Sequence, residues 1–214
     1  MIKNLLKIST MGLILFLASC NGNTPNPPYV YETNPTFTWG FAEFYGKYFN
    51  NYNIDDNVLI LNLLSDGLGV DKDQNLIGVG QYLILEDVFI NANDTLLPAG
   101  TYTAVDSIID VKPFTFLKGK EYKEKTSSDG IPSGAYIYYF ENDASKNAIK
   151  YIISGTFTVS YNLQNTKYTI TCDFDTKDKK EIKGTFTGEL PHYDRSVYVK
   201  AGAIRKKTIK INQP

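Results

Sequence analysis

The feature that most constrains the fold is a run of strictly alternating apolar and polar residues, KYTITCDF at 167–174. A period of two puts alternate side chains on opposite faces of a β-strand and predicts that one face is buried. The apolar positions are Tyr168, Ile170, Cys172 and Phe174. Cys172 is therefore expected to be a small buried hydrophobe rather than a nucleophile.

The same alternation appears in two neighbouring segments. EIKGTFTGEL at 181–190 follows a polar turn and predicts a β-hairpin with the first segment. GTFTVSY at 155–161 predicts another strand, with Phe157, Val159 and Tyr161 pointing inward and its threonines outward.

Two further runs, 58–64 and 82–90, are almost continuously apolar, which is typical of strands covered on both faces. Other candidate strands lie at 39–48, 101–105, 114–117, 135–141, 149–153 and 197–211. The chain has no convincing amphipathic helical stripe outside its first twenty residues. We therefore predict an all-β fold, an antiparallel meander of about nine to eleven strands that forms a lipocalin-like barrel or a β-sandwich.

The phrase Gly-Thr-aromatic-Thr occurs three times, at 100–103, 155–158 and 184–187. We interpret it as the opening of a strand, where glycine permits a bend, the aromatic ring enters the core and the threonines face outward. An alternative, less favoured, is that the threonines form a ladder that binds a ligand.

The first twenty residues, MIKNLLKISTMGLILFLASC, contain the parts of an export signal in their usual order. Two lysines precede an apolar stretch at 11–18 that is too short to span a bilayer as a helix. The stretch ends in Leu-Ala-Ser-Cys, which resembles the lipobox of bacterial lipoproteins. The resemblance implies that Cys20 is the lipidation site and becomes an acylated N-terminus that anchors the protein to a membrane.

These features divide the chain into a signal peptide at 1–19, a lipidated Pro/Asn-rich tether at 20–35 and a single β domain at 36–214. The only cysteines are Cys20 and Cys172, so lipidation of the first leaves the second without an intrachain disulfide partner. We expect a lipid-anchored protein of the bacterial cell envelope, in the outer membrane, facing either the periplasm or the cell surface.

Several segments together also resemble a known group. They are FYG at 44–46, the run 58–64, GVGQYL at 78–83, LPAGTYT at 97–103, SGTFTVS at 154–160, YTIT at 168–171 and IKGTFTG at 182–188. Their order resembles uncharacterised β-rich lipoproteins of Bacteroidetes. The resemblance implies a lipocalin-like barrel or β-sandwich in the envelope and implies no active site. Surface export in that phylum is associated with acids just after the lipidated cysteine, whereas here the first acid is Glu32.

Charge is balanced overall, with 22 basic and 23 acidic residues, which excludes a strongly basic nucleic-acid-binding surface. Its distribution is uneven, because residues 20–110 carry twelve acids and two bases while residues 195–214 carry six bases and no acid. The basic tail either faces the acids of the first half or attaches to anionic lipid or lipopolysaccharide. The alternation at 206–211 favours the first reading and predicts that 197–211 is an ordered part of the sheet.

No set of residues predicts a metal site or a catalytic triad. DKDQN at 71–75 begins like a calcium loop, but an EF-hand requires glycine and glutamate where Leu76 and Tyr82 stand. It is expected to be a polar loop between strands, with a calcium site of another type as the minor alternative. His192 is the only histidine, so neither a zinc set nor a Ser-His-Asp triad is predicted.

Two pairs of adjacent acids, at 55–56 and 86–87, were the remaining catalytic candidates. Adjacent residues on a strand face opposite sides, so neither pair is expected to act as an acid/base couple. We therefore predict no enzyme activity, no catalytic residues, no metal-binding residues and no cofactor.

A binding role fits the composition better. Four aromatic residues lie within 136–140, and Trp39 and Tyr45 lie near the first strand. If these rings are exposed, they could stack on sugar rings, and if they are buried, they form part of the core. We favour the second interpretation for these residues. We expect a ligand-binding lipoprotein, with a glycan or small apolar ligand. A structural or adhesive envelope component is the alternative, and a hydrolase is less favoured.

Replacing Cys20 tests the anchor. Cys20→Ala should block maturation or release the protein from the membrane fraction, because the acyl chains supply about 0.8 kcal/mol per buried methylene. Mass spectrometry and membrane fractionation measure this outcome. Unchanged mass and unchanged fractionation of the variant would show that Cys20 is not lipidated.

Overall fold

The computed structural model describes residues 31–122, 131–141 and 148–198 together with Ile209, and it shows an all-β protein. Its strands are β1 (Thr36–Gly46), β2 (Asn57–Ser65), β3 (Leu68–Val70), β4 (Leu76–Ile90), β5 (Gly100–Val105), β6 (Thr115–Leu117), β7 (Lys120–Tyr122), β8 (Ile131–Ser133), β9 (Ala135–Glu141), β10 (Ala148–Asn162), β11 (Lys167–Thr176), β12 (Glu181–Ile182), β13 (Thr185–Gly188) and β14 (His192–Asp194). Short 3₁₀ segments lie at Asn50–Tyr52, Ile108–Asp110 and Ser196–Tyr198. Within these ranges, no helix has the length and apolar character needed to span a membrane.

Twelve strands form one large mixed sheet with the order β12-β11-β13-β1-β2-β4-β6-β5-β10-β9. In addition, β14 pairs with β1, β3 pairs with β4, and β7 and β8 form a separate two-stranded sheet. Two further pairings, β10 with β11 and β4 with β9, connect strands that are not neighbours in that order. The sheet therefore branches and does not form a clean barrel.

The predicted antiparallel meander is wrong in part. β1 pairs in parallel with both β13 and β14, and β5 pairs in parallel with β6. Alternation specifies which face of a strand is buried but not the partner or its direction, so the pattern could not reveal these crossovers. The described residues also contain fourteen strands rather than nine to eleven, because seven of them have four residues or fewer and show no period.

The predicted hairpin is confirmed. Along β11, buried and exposed residues alternate strictly, and the buried set is the apolar one that includes Cys172. β11 pairs antiparallel with β12 and β13, so that Phe174 lies opposite Ile182 and Ile170 lies opposite Phe186. Burial raises the pKa of the Cys172 thiol far above its ordinary value, which keeps the sulfur protonated and unreactive.

One inward assignment on the neighbouring strand is wrong. Phe157 and Val159 are buried as expected, but the Tyr161 side chain is 39% exposed. Tyr161 stands near the end of β10 opposite Tyr168, and the two ring centroids are 4.7 Å apart. Tyr161 lies on the predicted face, but it caps that end of the core instead of entering it.

The strands β1, β2, β4 and β9 are covered on both faces. Every residue of β2 is buried, as the continuous apolar run predicted. Alternate residues of these strands enter a main core and a second cluster on the opposite face. We use the name second cluster for Phe41, Tyr45, Ile60, Leu64, Leu68, Leu76, Tyr82, Ile84, Tyr136, Tyr138, Phe140 and Ile209.

Aromatic rings fill the part of the main core between β5, β6, β10 and β11. The rings of Tyr102 and Phe157 stack with centroids 4.5 Å apart. Phe116 contacts Phe157 at 5.5 Å and Phe174 at 5.7 Å. All three aromatic residues of the Gly-Thr-aromatic-Thr phrases are buried, and their threonines are exposed except for the half-buried Thr156. The phrases at 100–103 and 184–187 open β5 and β13 as interpreted, but the phrase at 155–158 lies inside β10, so the strand-opening interpretation is wrong for that one.

The two ends of the chain are described only in part. The signal peptide at 1–19 and residues 20–30 lie outside the described residues. The strand predicted at 197–211 is wrong at its start, because Val197 belongs to a 3₁₀ segment and is 80% exposed. Beyond Tyr198, the predicted strand lies outside the described residues except for Ile209, which is 3% exposed and belongs to the second cluster.

Truncating the buried thiol tests the packing of β11. Cys172→Ala should lower the free energy of unfolding by about 1 kcal/mol, because it leaves a small cavity in the core. Thr171→Ala, on the exposed face of the same strand, is the matched control and should change it by less than about 0.5 kcal/mol. Rapid labelling of Cys172 by a thiol reagent in the native protein would contradict its burial.

Candidate binding cleft

The chain segment 31–35 packs against the sheet beside the start of β4. Gln81 holds it with two hydrogen bonds, since the Glu32 backbone N–H donates to Gln81 Oε1 at 2.6 Å and Gln81 Nε2 donates to the Glu32 carbonyl at 3.3 Å. Tyr31 enters the main core and contacts the ring of Tyr139 edge-on, with centroids 6.2 Å apart.

Hydrogen bonds from the neighbourhood of β13 fix the other side of this segment. The Lys183 backbone N–H donates to the Thr33 carbonyl at 2.6 Å, and the Thr185 N–H donates to the Pro35 carbonyl at 3.0 Å. The end of the predicted tether is therefore an integral part of the β domain. The signal that could have revealed it is the Tyr-Val-Tyr at 29–31 within an otherwise polar, proline-rich stretch.

A cleft of about 340 Å³ opens between this segment, the end of β2 and the start of β4. Most of the residues that line it have polar side chains, and the full set is Glu32, Asn34, Thr36, Ser65, Asp66, Val79, Gly80, Gln81 and Tyr139. A hydrogen bond connects two of these lining residues, because the buried Gln81 donates its backbone N–H to Ser65 Oγ at 2.8 Å. The cleft has the size of a small-molecule site and presents convergent hydroxyl, amide and carboxylate groups.

A second cavity, of about 410 Å³, lies on the other side of the same segment. It is lined by Tyr31, Thr33, Asn34, Lys180, Glu181 and Lys183. Its lining carries two lysines and one acid, and Lys183 Nζ forms an ion pair with Glu181 Oε1 at 2.8 Å. The first cleft is acidic, since Glu32 and Asp66 are exposed there, and Asn34 borders both cavities.

Tyr139 contributes a neutral ring to the first cleft. Its hydroxyl donates to Glu141 Oε2 at 3.1 Å. Burial, this hydrogen bond and the charge of Glu141 together raise the pKa of Tyr139, so the phenol stays protonated at neutral pH.

The aromatic residues singled out from the sequence form core, as favoured. Tyr136, Tyr138, Tyr139 and Phe140 are all buried. Trp39 is half-buried, and its Nε1 donates to the Leu68 carbonyl at 3.2 Å. These rings therefore do not form an open platform for stacking on a sugar.

The acidic loop at 71–75 connects β3 to β4, as predicted. Asp71 Oδ1 accepts the backbone N–H groups of Asp73 at 2.8 Å and Asn75 at 2.9 Å, and Oδ2 accepts from Asn75 Nδ2 at 2.9 Å. The Asp71 carboxylate thus closes the turn itself. Across the part of the chain that the structure describes, no group of three His, Cys, Asp or Glu side chains is arranged to hold a metal ion.

His192 has a structural role. Its Nε2 accepts the Leu97 backbone N–H at 2.9 Å, so the proton lies on Nδ1, which donates to the Leu190 carbonyl at 2.8 Å. Burial lowers the pKa of His192, and the Leu190 carbonyl opposes this effect only partly. The ring therefore stays neutral at pH 7 and connects the loop that contains Leu97 to the start of β14.

The pair Glu86 and Asp87 departs from the predicted opposite facing. Leu85 pairs with Leu61 and Val88 with Leu59, so a β-bulge sets both acids against the single residue Ile60. Strict alternation therefore ends at this point, and both acids are buried.

The described contacts of the acid pairs are structural. Glu86 accepts from the Tyr136 hydroxyl at 3.1 Å and from the Gly134 N–H at 3.2 Å. In the other acidic pair, Asp55 forms a salt bridge with Lys47 at 2.5 Å. Glu86 is therefore part of a buried hydrogen-bond network of the sheet, whereas the Asp55–Lys47 ion pair lies at the surface.

No protein-family model, no curated protein and no solved structure matches this chain. The resemblance to Bacteroidetes lipoproteins stays a prediction, since none of these comparisons tests it. Function is therefore inferred from the cleft and from the sequence motifs.

Acid should destabilise the fold through His192. In the unfolded chain the His192 ring takes up a proton near pH 6.5, whereas in the folded protein its pKa is lower. The stability that the neutral ring contributes is therefore complete above pH 6.5 and is lost as the pH falls below it. In His192→Gln, the free energy of unfolding should fall less steeply between about pH 7 and pH 5. Denaturant titrations across this pH range give the free energy of unfolding of the unchanged protein and of the variant. If both free energies fall equally steeply with pH, His192 has the same pKa in the folded and unfolded states.

Proposed function

We propose that this protein is a lipid-anchored lipoprotein of the bacterial cell envelope whose β domain binds a glycan in the cleft beside residues 31–35. The observation that carries the proposal is the cleft of about 340 Å³ and the hydroxyl, amide and carboxylate side chains that line it. The Leu-Ala-Ser-Cys motif supports the anchor.

The chemistry of the cleft suits a hydroxyl-rich ligand. The carboxylates of Glu32 and Asp66 accept hydrogen bonds from sugar hydroxyls, while the Asn34 amide and the Thr36 hydroxyl both donate and accept. An apolar ligand fits less well, because seven of the nine lining residues have polar side chains. We therefore favour the glycan over the small apolar ligand.

The position of the cleft suits an anchored receptor. If Cys20 carries the lipid, residues 20–30 are the whole linker to the first described residue, and their extended length is at most roughly 40 Å. The cleft would then be held close to the membrane, within reach of envelope polysaccharide.

We also propose a distorted lipocalin-like barrel in preference to a β-sandwich. The pairing of β10 with β11 supports it, because hydrogen-bonded neighbours then run from β11 through β13, β1, β2, β4, β6 and β5 to β10 and back to β11. Such a ring removes edges that a sandwich would leave open.

An adhesive role is the second candidate, and one exposed surface favours it. The strand registers align Thr101, Thr158, Thr171, Thr185 and Thr36 in a single row across β5, β10, β11, β13 and β1. All five side chains are exposed. Such a row of hydroxyl and methyl groups could lie against an extended polymer.

A glycan array probed with residues 21–214 tests the cleft. This range keeps the 31–35 segment that forms one wall. Asp66→Asn should weaken binding about 10-fold or more, since hydrogen bonds to charged groups contribute roughly 1.5–3 kcal/mol. Asp110→Asn, at an exposed site away from the cleft, is the matched control.

A second comparison separates the two candidates. Glu32→Gln should weaken glycan binding, whereas Glu189→Gln, an exposed acid outside the cleft lining, should not. Thr158→Ala should leave cleft binding unchanged and weaken binding only if the threonine row is the adhesive surface. If no glycan on the array binds, the glycan proposal fails.

A further inference from the structure

We infer that the cleft beside residues 31–35 selects glycans that carry a free amino group, so that its preferred ligand contains an unacetylated amino sugar. This inference rests on the proposed glycan function and names the substrate class of that same site. It is carried by the charge of the lining and by the hydrogen bonds that the lining residues already make within the protein.

The charged groups of the lining are all negative. Of the nine residues that line the cleft, Glu32 and Asp66 are the charged ones, and neither lysine, arginine nor histidine is among them. Glu32 belongs to the 31–35 segment, whereas Asp66 directly follows the end of β2. Both side chains are exposed. A ligand in the cleft therefore meets carboxylates on two different walls.

Both carboxylates are available to a ligand. Glu32 bonds to Gln81 through its backbone alone, since its N–H donates to Gln81 Oε1 and its carbonyl accepts from Nε2. In the described part of the chain, the carboxylates of Glu32 and Asp66 take part in no ion pair and no hydrogen bond. A carboxylate only accepts hydrogen bonds, so these two groups require donors from the ligand.

The hydrogen-bond donors of the lining, by contrast, are largely used within the protein. Gln81 Nε2 donates to the Glu32 carbonyl at 3.3 Å. The Ser65 hydroxyl donates to the carbonyl of the next residue at 3.4 Å, and the Tyr139 hydroxyl donates to Glu141 Oε2 at 3.1 Å. The amide of Gln81 and these two hydroxyl groups therefore offer few hydrogens to a ligand.

Two lining residues keep a donor that can reach a ligand. Asn34 Nδ2 donates one N–H to Thr33 Oγ1 at 3.3 Å, which leaves its second N–H. Thr36 contributes one hydroxyl group to the lining. These neutral donors face four carboxylate oxygens and the Asn34 amide oxygen, all of which are acceptors. The cleft therefore presents an excess of acceptors together with negative charge.

A protonated amino group is the sugar substituent that complements this lining. An ammonium has three N–H donors, no acceptor and a positive charge, and charge-assisted hydrogen bonds are about twice as strong as neutral ones. An N-acetyl group has one N–H and adds a carbonyl that meets further acceptors. A uronic acid adds a like charge, which is unfavourable beside carboxylates.

Titration calorimetry with two matched tetrasaccharides tests the inference on the full chain carrying Cys20→Ser. One is the fully acetylated tetramer of N-acetylglucosamine, and the other is the same tetramer with one free amino group. At about pH 6.5 the tetramer with the amine should bind about 10-fold more tightly or better, because a hydrogen bond to a charged group contributes more than a neutral one. At about pH 9 this preference should disappear, because the amine has then lost its proton.

A charge-matched pair of variants assigns the preference to the cleft. Glu32→Gln with Asp66→Asn should remove the preference for the amine. Asp110→Asn with Glu189→Gln removes the same charge at exposed sites outside the cleft lining and should keep it. This control separates recognition in the cleft from the general attraction of a cation to an acidic protein.

The outcomes distinguish this inference from the proposed function on which it rests. Equal binding of both tetramers that the cleft variant weakens would overturn the amine preference and leave the glycan site in place. A preference for the amine that persists in the cleft variant would overturn the inference, because the amine would then bind elsewhere. No binding of the tetramer with the amine would also overturn it, and the glycan function would then stand only if an amine-free glycan on the array binds.

Discussion

The stability of the fold depends on the burial of both faces of the central strands β1, β2, β4 and β9. Every residue of β2 is buried, and its neighbours β1, β4 and β9 send alternate side chains into the main core and the second cluster. Burial of both faces stabilises the fold by about 25 cal/mol per Å² of apolar surface removed from water. Residues outside these four strands contribute to the cover of the second face, among them Leu68 and Ile209.

The filled interior also determines where a ligand can bind. The rings of Tyr102, Phe116 and Phe157 pack against one another. This part of the main core is therefore close-packed with side chains and is not a ligand-binding cavity. Clefts form instead where the 31–35 segment crosses the ends of β2 and β4.

The polar residues that the sequence marked as candidates for catalysis or metal binding make hydrogen bonds within the fold. His192 links Leu97 and Leu190, Asp71 closes its own turn, and Glu86 accepts a hydrogen bond from the hydroxyl of Tyr136. For the buried Glu86, such partners offset the cost of removing a polar group from water. The cleft, by contrast, presents carboxylates that are exposed to solvent.

The sequence by itself determined the strand content and the facing of the long strands, since a period of two in β11 or a continuous apolar run in β2 reflects burial directly. It also marked Cys172 as core and 71–75 as a loop. Only the tertiary structure decided the parallel partners of β1, the bulge that turns Glu86 and Asp87 against Ile60, and the cleft walled by 31–35. These features arise from contacts between residues far apart in the chain, and local periodicity carries no information about such contacts.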